Sequence, residues 1–182
     1  ARARLAVALG FLGGAWLARG GAVPIQPLSR LDPPRSQSLG GAVSAVGLDP
    51  ALAILNPAAA AGAVSPSITL SSSPRPGGGF LGTGSVTWPV SWGSVSAGGM
   101  YYDAGAISLE IPDGTPLELN ARRDYAAFAG ASALVWGGRA SAGAHLKGTR
   151  IRLLDRFAAT AVAVDLGAQA RVGRHLKCGA FV

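Results

Sequence analysis

Charge is scarce in this chain. Asp, Glu, Lys and Arg make up 14% of the residues, against roughly a quarter in ordinary globular proteins. That composition does not describe a soluble enzyme surface. There is one cysteine, Cys178, so an internal disulfide and a cysteine-based metal site are excluded. Histidine is nearly as rare. His145 and His175 have no Cys or carboxylate at ligand spacing, so the sequence predicts neither metal nor cofactor. Beyond the N-terminus no apolar run reaches the length of about 18 residues that marks a helical membrane span. A Gly-x-Ser-x-Gly motif is lacking, and the stretches Gly77–Gly79 and Gly82-Thr83-Gly84 have no following helix with Lys-Ser/Thr. Catalytic serine and phosphate-loop readings therefore have nothing to rest on, and no catalytic residue is assigned.

The formal charge is +7, from 16 basic and 9 acidic residues. The basic residues are scattered rather than clustered, which argues against nucleic-acid binding. Glycine is abundant (27 residues) and mean hydropathy is positive at +0.34. A chain that is apolar on average without long apolar runs must distribute its apolar residues, as alternating strands do.

Residues 1–22 have the pattern of a bacterial secretory signal. Arg2 and Arg4 precede the apolar stretch Leu5–Leu17, and Gly20-Gly21-Ala22 offers small residues for cleavage before Val23. An uncleaved anchor is the alternative, but the apolar stretch is short for a span of about 20 residues. No cysteine follows Ala22, which disfavours a lipoprotein anchor. The chain starts with Ala rather than Met, so the signal is expected to be incomplete at its start.

Residues 23–38 are Pro-rich and polar, and read as an extended lead-in. Residues 39–62 are small and apolar, punctuated by Asp49-Pro50 and Asn56-Pro57. Asp49 is suited to cap a short helix from Pro50 to Leu55. Pro57 ends it, because the residue before a proline is pushed out of the α region. From Ser65 onward the texture is strand and turn. Strands are predicted at 67–73, 79–90, 93–102, 124–136, 139–151, 157–172 and 174–182. A polar loop covers 103–121, with room for a short strand at 106–111.

In 139–151 the even positions are Ala140, Ala142, Ala144 and Leu146, and the odd ones include Ser141, His145, Lys147 and Thr149. In 157–172 Val162, Val164 and Leu166 alternate with Asp165, Gln169 and Arg171. Period two with one apolar face defines a half-buried strand. These runs exceed the common ~5–6 residues and suit tilted membrane strands of ~9–11. Trp88, Trp92, Tyr101, Tyr102, Tyr125 and Trp136 lie near strand ends, where interfacial girdles sit. A soluble sandwich also alternates, so a soluble secreted β-protein stays as an alternative.

The ordered set Ser38-Leu39-Gly40-Gly41-Ala42, Asp49-Pro50-Ala51-Leu52 and Asn56-Pro57-Ala58 resembles the start of the PorV/PorQ family of outer-membrane proteins, within the FadL-like barrel superfamily. The stretches Ser141–Lys147 and Ala163–Gly167 are similar to later strands of that family, so the resemblance spans about 36–182. It departs in having one residue fewer in the Leu-Gly-Gly-Ala stretch, and Ala59-Ala60-Ala61 where Gly-Leu-Ala is usual. The resemblance implies a barrel of about fourteen strands, with 39–62 as a hatch inside the lumen.

The expected fold is thus all-β: an antiparallel up-and-down outer-membrane barrel. This chain would supply about seven or eight strands as an open curved sheet, with the C-terminal half of the barrel missing. The candidate hatch residues are Leu39, Gly40, Gly41, Ala42, Asp49, Pro50, Asn56, Pro57 and Ala58. Gly40, Gly41 and the alanines are read as allowing close backbone approach. The lumen-facing candidates are His145, Lys147, Asp165, Gln169 and Arg171, with Asp165 placed to pair with Lys147 or Arg171. The resemblance implies a non-enzymatic, accessory role at the bacterial outer membrane, with lipid and with secretion-system or cargo proteins as partners. The alternative is a FadL-like transporter of a hydrophobic small molecule.

Overall fold

The computed structural model describes residues 34–47, 49–110 and 116–182. The segment read as a signal, 1–22, and the lead-in as far as residue 33 lie outside them. The described chain is all-β and antiparallel, dominated by one curled, open sheet.

Seven strands form that sheet, each beside its neighbour in sequence: β1 (Ser67–Arg75), β2 (Gly79–Val90), β3 (Gly93–Asp103), β6 (Arg122–Val135), β7 (Ala140–Leu153), β8 (Phe157–Val172) and β9 (Leu176–Phe181). Between β3 and β6 the chain projects a two-stranded hairpin, β4 (Ala106–Glu110) with β5 (Pro116–Asn120). The order is an up-and-down meander, as the sequence predicts. Only the 103–121 segment is richer than expected, with a pair of strands where one was read. Both strands alternate, with Ile107 and Leu109 opposite Leu119 and Leu117, but five residues each is a short run among the polar residues that suggested a loop.

Strands of 14, 14 and 16 residues at β6, β7 and β8 run with continuous register, for example Val135 opposite Ala140 and Leu153 opposite Phe157. Tight turns make this possible. At residues 136–139 the chain reverses through Trp136, Gly137 and Gly138 at φ 51°, 62° and 80°. Only glycine adopts this left-handed region without a Cβ penalty, so the Gly-Gly pair takes most of the turn. The meander has two unlike ends. One carries the short turns at 91–92, 136–139 and 173–175, with Trp92 and Trp136; this is the tryptophan end. The other carries the β4–β5 hairpin and the turns at 76–78 and 154–156; this is the hairpin end.

The core lies on the sheet's concave side and is made by the segment before β1. Val43, Leu52 and Ala59 form its centre, flanked by Val46 and Leu55. Ala58–Ala61 are buried beside them. Full burial of a leucine such as Leu52 contributes about 1.5–3 kcal/mol.

Upstream, Pro34–Ser38 forms one turn of α-helix, α1, which corrects the extended reading of 34–38. Proline favours the first helical position, and Gly40 and Gly41 close the helix. Gly40 (φ 61°) donates its N–H to the Gln37 carbonyl, and Gly41 donates to Ser36 at 2.9 Å. That is a Schellman stop.

Candidate functional site

Two Asx-Pro turns shape the segment on the concave wall. At the first, Asp49 Oδ1 accepts the Ala51 N–H at 3.1 Å, and Pro50 opens a 3-10 turn over Pro50–Leu52. The sequence predicts helix as far as Leu55. The regular part stops at Leu52 because Asn56-Pro57 immediately demands a second start. There Asn56 Oδ1 accepts the Ala58 N–H at 3.0 Å, and Pro57 opens a 3-10 turn over Pro57–Ala60. In both, the side-chain oxygen serves an amide the helix cannot. Asp49 is also ion-paired with Arg35 of α1. Asn56 is fully buried, and its Nδ2 donates to the Ser44 carbonyl at 3.0 Å, which folds the segment back on itself.

The wall then grips this plug with polar side chains. Gln169 on β8 donates from Nε2 to the Ser44 and Val46 carbonyls, each at 3.0 Å. Ser94 on β3 donates to the Ala60 carbonyl at 2.8 Å and shares a 2.9 Å hydrogen bond with Ser132 on β6. Glycines make the close approach possible. A Cβ on Gly143 would lie 2.7 Å from the Pro57 backbone. One on Gly167 would collide with Asn56 Oδ1, and one on Gly179 with the Ser44 carbonyl.

This corrects one expectation about the motif. Gly40 and Gly41 stand in open space, with nothing near where a Cβ would be. They turn the chain out of α1, while the close approach comes from wall glycines 143, 167 and 179. Leu39 and Ala42 are likewise exposed, whereas Pro57 and Ala58 are buried against the wall.

The five odd-numbered candidates all take the concave parity of β7 and β8. Gln169 holds the plug. Lys147 and Asp165 form an ion pair, with side chains 13% and 19% accessible. Arg171 lies on Asp165's own strand, six residues or about 20 Å further along, so Lys147 is the partner. His145 is 1% exposed, packs against Phe128 with ring centroids 4.8 Å apart, and shares a 2.9 Å hydrogen bond through Nε2 with Ser96 Oγ. Ser96, His145 and the register partner Asp165 have the residue types of a nucleophile triad without its geometry. Among the described residues Nδ1 of His145 has no hydrogen-bond partner, and the Asp165 carboxylate is engaged by Lys147. The contact that orients the base in such triads is therefore missing. Among the described residues no group of three His, Cys, Asp or Glu is placed to hold a metal.

Sequence reading missed Ser94, Ser132, Ser96 and Gly167. Their only signal is small size at concave-parity positions, which becomes meaningful once the plug's position is known.

The convex face inverts the usual pattern. Its side chains include Ile68 and Leu70 on β1, Val86 and Trp88 on β2, Leu146 on β7, and Val162, Val164 and Leu166 on β8, all exposed, Leu70 at 79%. On β7 and β8 the convex face carries no charged residue from the tryptophan end as far as Gly148 and Ala158. At the tryptophan end lie Trp88, Trp92 and Trp136. Towards the hairpin end Phe80, Tyr101 and Tyr125 make a row, with Tyr101 and Tyr125 ring centroids 5.1 Å apart. Tyr102 falls outside this row, on the opposite parity of β3. Among the described residues no helix is long and apolar enough to cross a membrane, which leaves crossing by strands untouched.

No protein-family model, curated protein or solved structure matches the chain.

Proposed function

We propose that this chain is an arc of the wall of a bacterial outer-membrane β-barrel, with residues 39–62 as a plug on its inner face. The role proposed is the non-enzymatic, accessory one of PorV/PorQ-type proteins. The observation that carries the reading is the sidedness of the sheet. Its concave face carries polar side chains, several bonded to one another or to the plug, while its convex face is apolar and uncovered from the tryptophan end as far as Gly148 on β7. In water such a face is a liability, since contiguous exposed apolar area marks an interaction or membrane surface. In lipid it is the required arrangement.

Dimensions support the same reading. From Ala140 to Gly148 β7 rises about 27 Å at ~3.4 Å per residue. At a barrel tilt of ~40° this spans about 21 Å of bilayer, close to the ~25 Å apolar band of outer-membrane barrels. The unlike ends, short turns against a longer hairpin, match the periplasmic and extracellular sides of such barrels. Edges β1 and β9 need partner strands in lipid, where open edges are not tolerated.

The accessory role is preferred to passage of a hydrophobic compound because the concave face is polar and the plug is held by several wall residues. A groove beside the plug at the tryptophan end mixes basic Arg139, Arg171 and Lys177 with apolar Leu134 and Ala170, so it is not a purely apolar pocket.

Expression of the natural full-length protein in a Gram-negative host, followed by membrane fractionation and unheated against heated gel migration, tests the barrel reading. Outer-membrane recovery with heat-modifiable migration is expected; recovery in the soluble periplasm would sink it. Uptake of a hydrophobic dye by a strain carrying a Δ39–62 variant but not by wild type fits a fixed plug. Uptake by wild type would favour transport instead.

A further inference from the structure

We infer that the convex face of β6 and β7 at the hairpin end binds the phosphate groups of anionic lipid headgroups, with Arg150 and Arg152 as the ligating side chains. The inference rests on the membrane-wall reading above.

Charge on the convex face is confined to that end. Moving up β7 from the tryptophan end, the convex positions run Ala140, Ala142, Ala144, Leu146 and Gly148, then Arg150 and Arg152. Arg150 is therefore the first charge beyond the apolar band. The register sets its surroundings. Arg150 lies opposite Tyr125 on β6 and Thr160 on β8, and Arg152 lies opposite Arg123. Like charges directly across an antiparallel pair repel. Arg123 is already engaged by Asp103 Oδ2 at 3.2 Å and by Asn120 at 2.6 Å. Among the described residues Arg150 has no ion pair. The charges of Arg123 and Arg152 both act on the Asp155 carboxylate, which accepts from Asn120 Nδ2 at 2.7 Å and forms no ion pair with Arg152. Among the described residues of the β4–β5 hairpin, Glu110 and Glu118 pair with neither arginine.

Two exposed guanidinium groups with no ion pair among the described residues thus stand where an apolar band meets the polar zone. A guanidinium at such a boundary is stabilised by a bidentate anion, and phosphate fits its fork. The Tyr101–Tyr125 pair beneath is an amphipathic floor suited to headgroup depth. Thr160 adds a hydroxyl donor on the β8 side.

The test is native mass spectrometry of the natural full-length protein in detergent, with phosphatidylglycerol and phosphatidylcholine supplied equally. Insertion of the same samples into phosphatidylcholine vesicles is scored separately. Wild type is expected to retain phosphatidylglycerol about tenfold, the worth of one charge-assisted hydrogen bond, over phosphatidylcholine, whose choline cation competes with the arginines for the phosphate. R150Q/R152Q should bring that ratio to about one, R150K/R152K should restore part of it, and Arg174→Gln at the opposite end should leave it intact. No enrichment in wild type, or enrichment unchanged in R150Q/R152Q, overturns the lipid site while leaving the wall reading in place. Failure of wild type to insert into vesicles overturns both. Displacement of the lipid by inorganic phosphate would reassign the arginines to a free anion and overturn the lipid assignment.

Discussion

Gln169 and Ser44, 125 positions apart in the chain, are joined by a 3.0 Å hydrogen bond from the Gln169 amide to the Ser44 carbonyl. The same amide reaches Val46, so one side chain ties two plug carbonyls to β8. Replacing Gln169 by Leu removes both hydrogen bonds; Ser44 keeps the Asn56 amide, but the half-buried Val46 carbonyl is left unmet, at a cost of about 1–3 kcal/mol. Faster amide exchange and earlier proteolysis within 39–62 are expected, with little change in the strands. Unchanged protection of that segment would show that Gln169 does not hold the plug.

Glycine size at the contact should matter more than glycine flexibility. Gly167→Ala places a methyl against Asn56 Oδ1, and Gly143→Ala places one against Pro57. Overpacking of this kind costs about 1–3 kcal/mol. Gly148→Ala, on the same sheet, meets open space and is expected to be neutral or stabilising by up to ~1 kcal/mol. Thermal or denaturant midpoints of the three variants give the ranking directly.

Lys147 and Asp165 should behave as a unit. Lys147→Met alone or Asp165→Asn alone leaves one partner unmatched in a mostly buried site, an effect of about 3–5 kcal/mol. The double variant should recover much of that loss, because both desolvation costs disappear together. A double-mutant cycle reads the coupling; additive single effects would deny it.

At the hairpin end, Asp155 clasps Asn120 through its side chain at 2.7 Å and its backbone N–H at 3.3 Å. These hydrogen bonds hold the Asp155 carboxyl below its ordinary pKa. With the folded pKa depressed, the clasp contributes above the ordinary carboxylate pKa. It is lost as pH falls through the lower, folded value. The β5 end of the hairpin should therefore stay anchored at neutral and mildly acid pH and loosen only in stronger acid. Asp155→Asn should weaken the anchor already at neutral pH. Proteolysis with an acid-active and a neutral protease would show either result.

The convex face offers the sharpest separation of water from lipid. Val164 is 60% exposed at mid-strand. Arginine there would be near neutral in a soluble protein, yet costs about 2–4 kcal/mol at the middle of a bilayer. Val164→Arg is expected to lower folding yield into vesicles sharply. Normal insertion would remove the membrane interpretation of that face.

Period-two alternation made the strands and their sidedness legible from residues alone, because side-chain parity is a local property of extended backbone. The two Asx-Pro turns were legible for the same reason, since Asp49 and Asn56 cap amides only two residues away. The tertiary structure decided what depends on register. It chose Lys147 over Arg171 as the partner of Asp165, through cross-strand placement. It moved the close-approach role from Gly40 and Gly41 to Gly143 and Gly167, because only a docked plug shows which glycines face it. It also paired β4 with β5, whose alternation runs for only five residues in each strand, too short a run to separate a hairpin from a loop. Contacts of this kind join residues tens of positions apart, and no spacing within the chain encodes which small residue will meet which carbonyl.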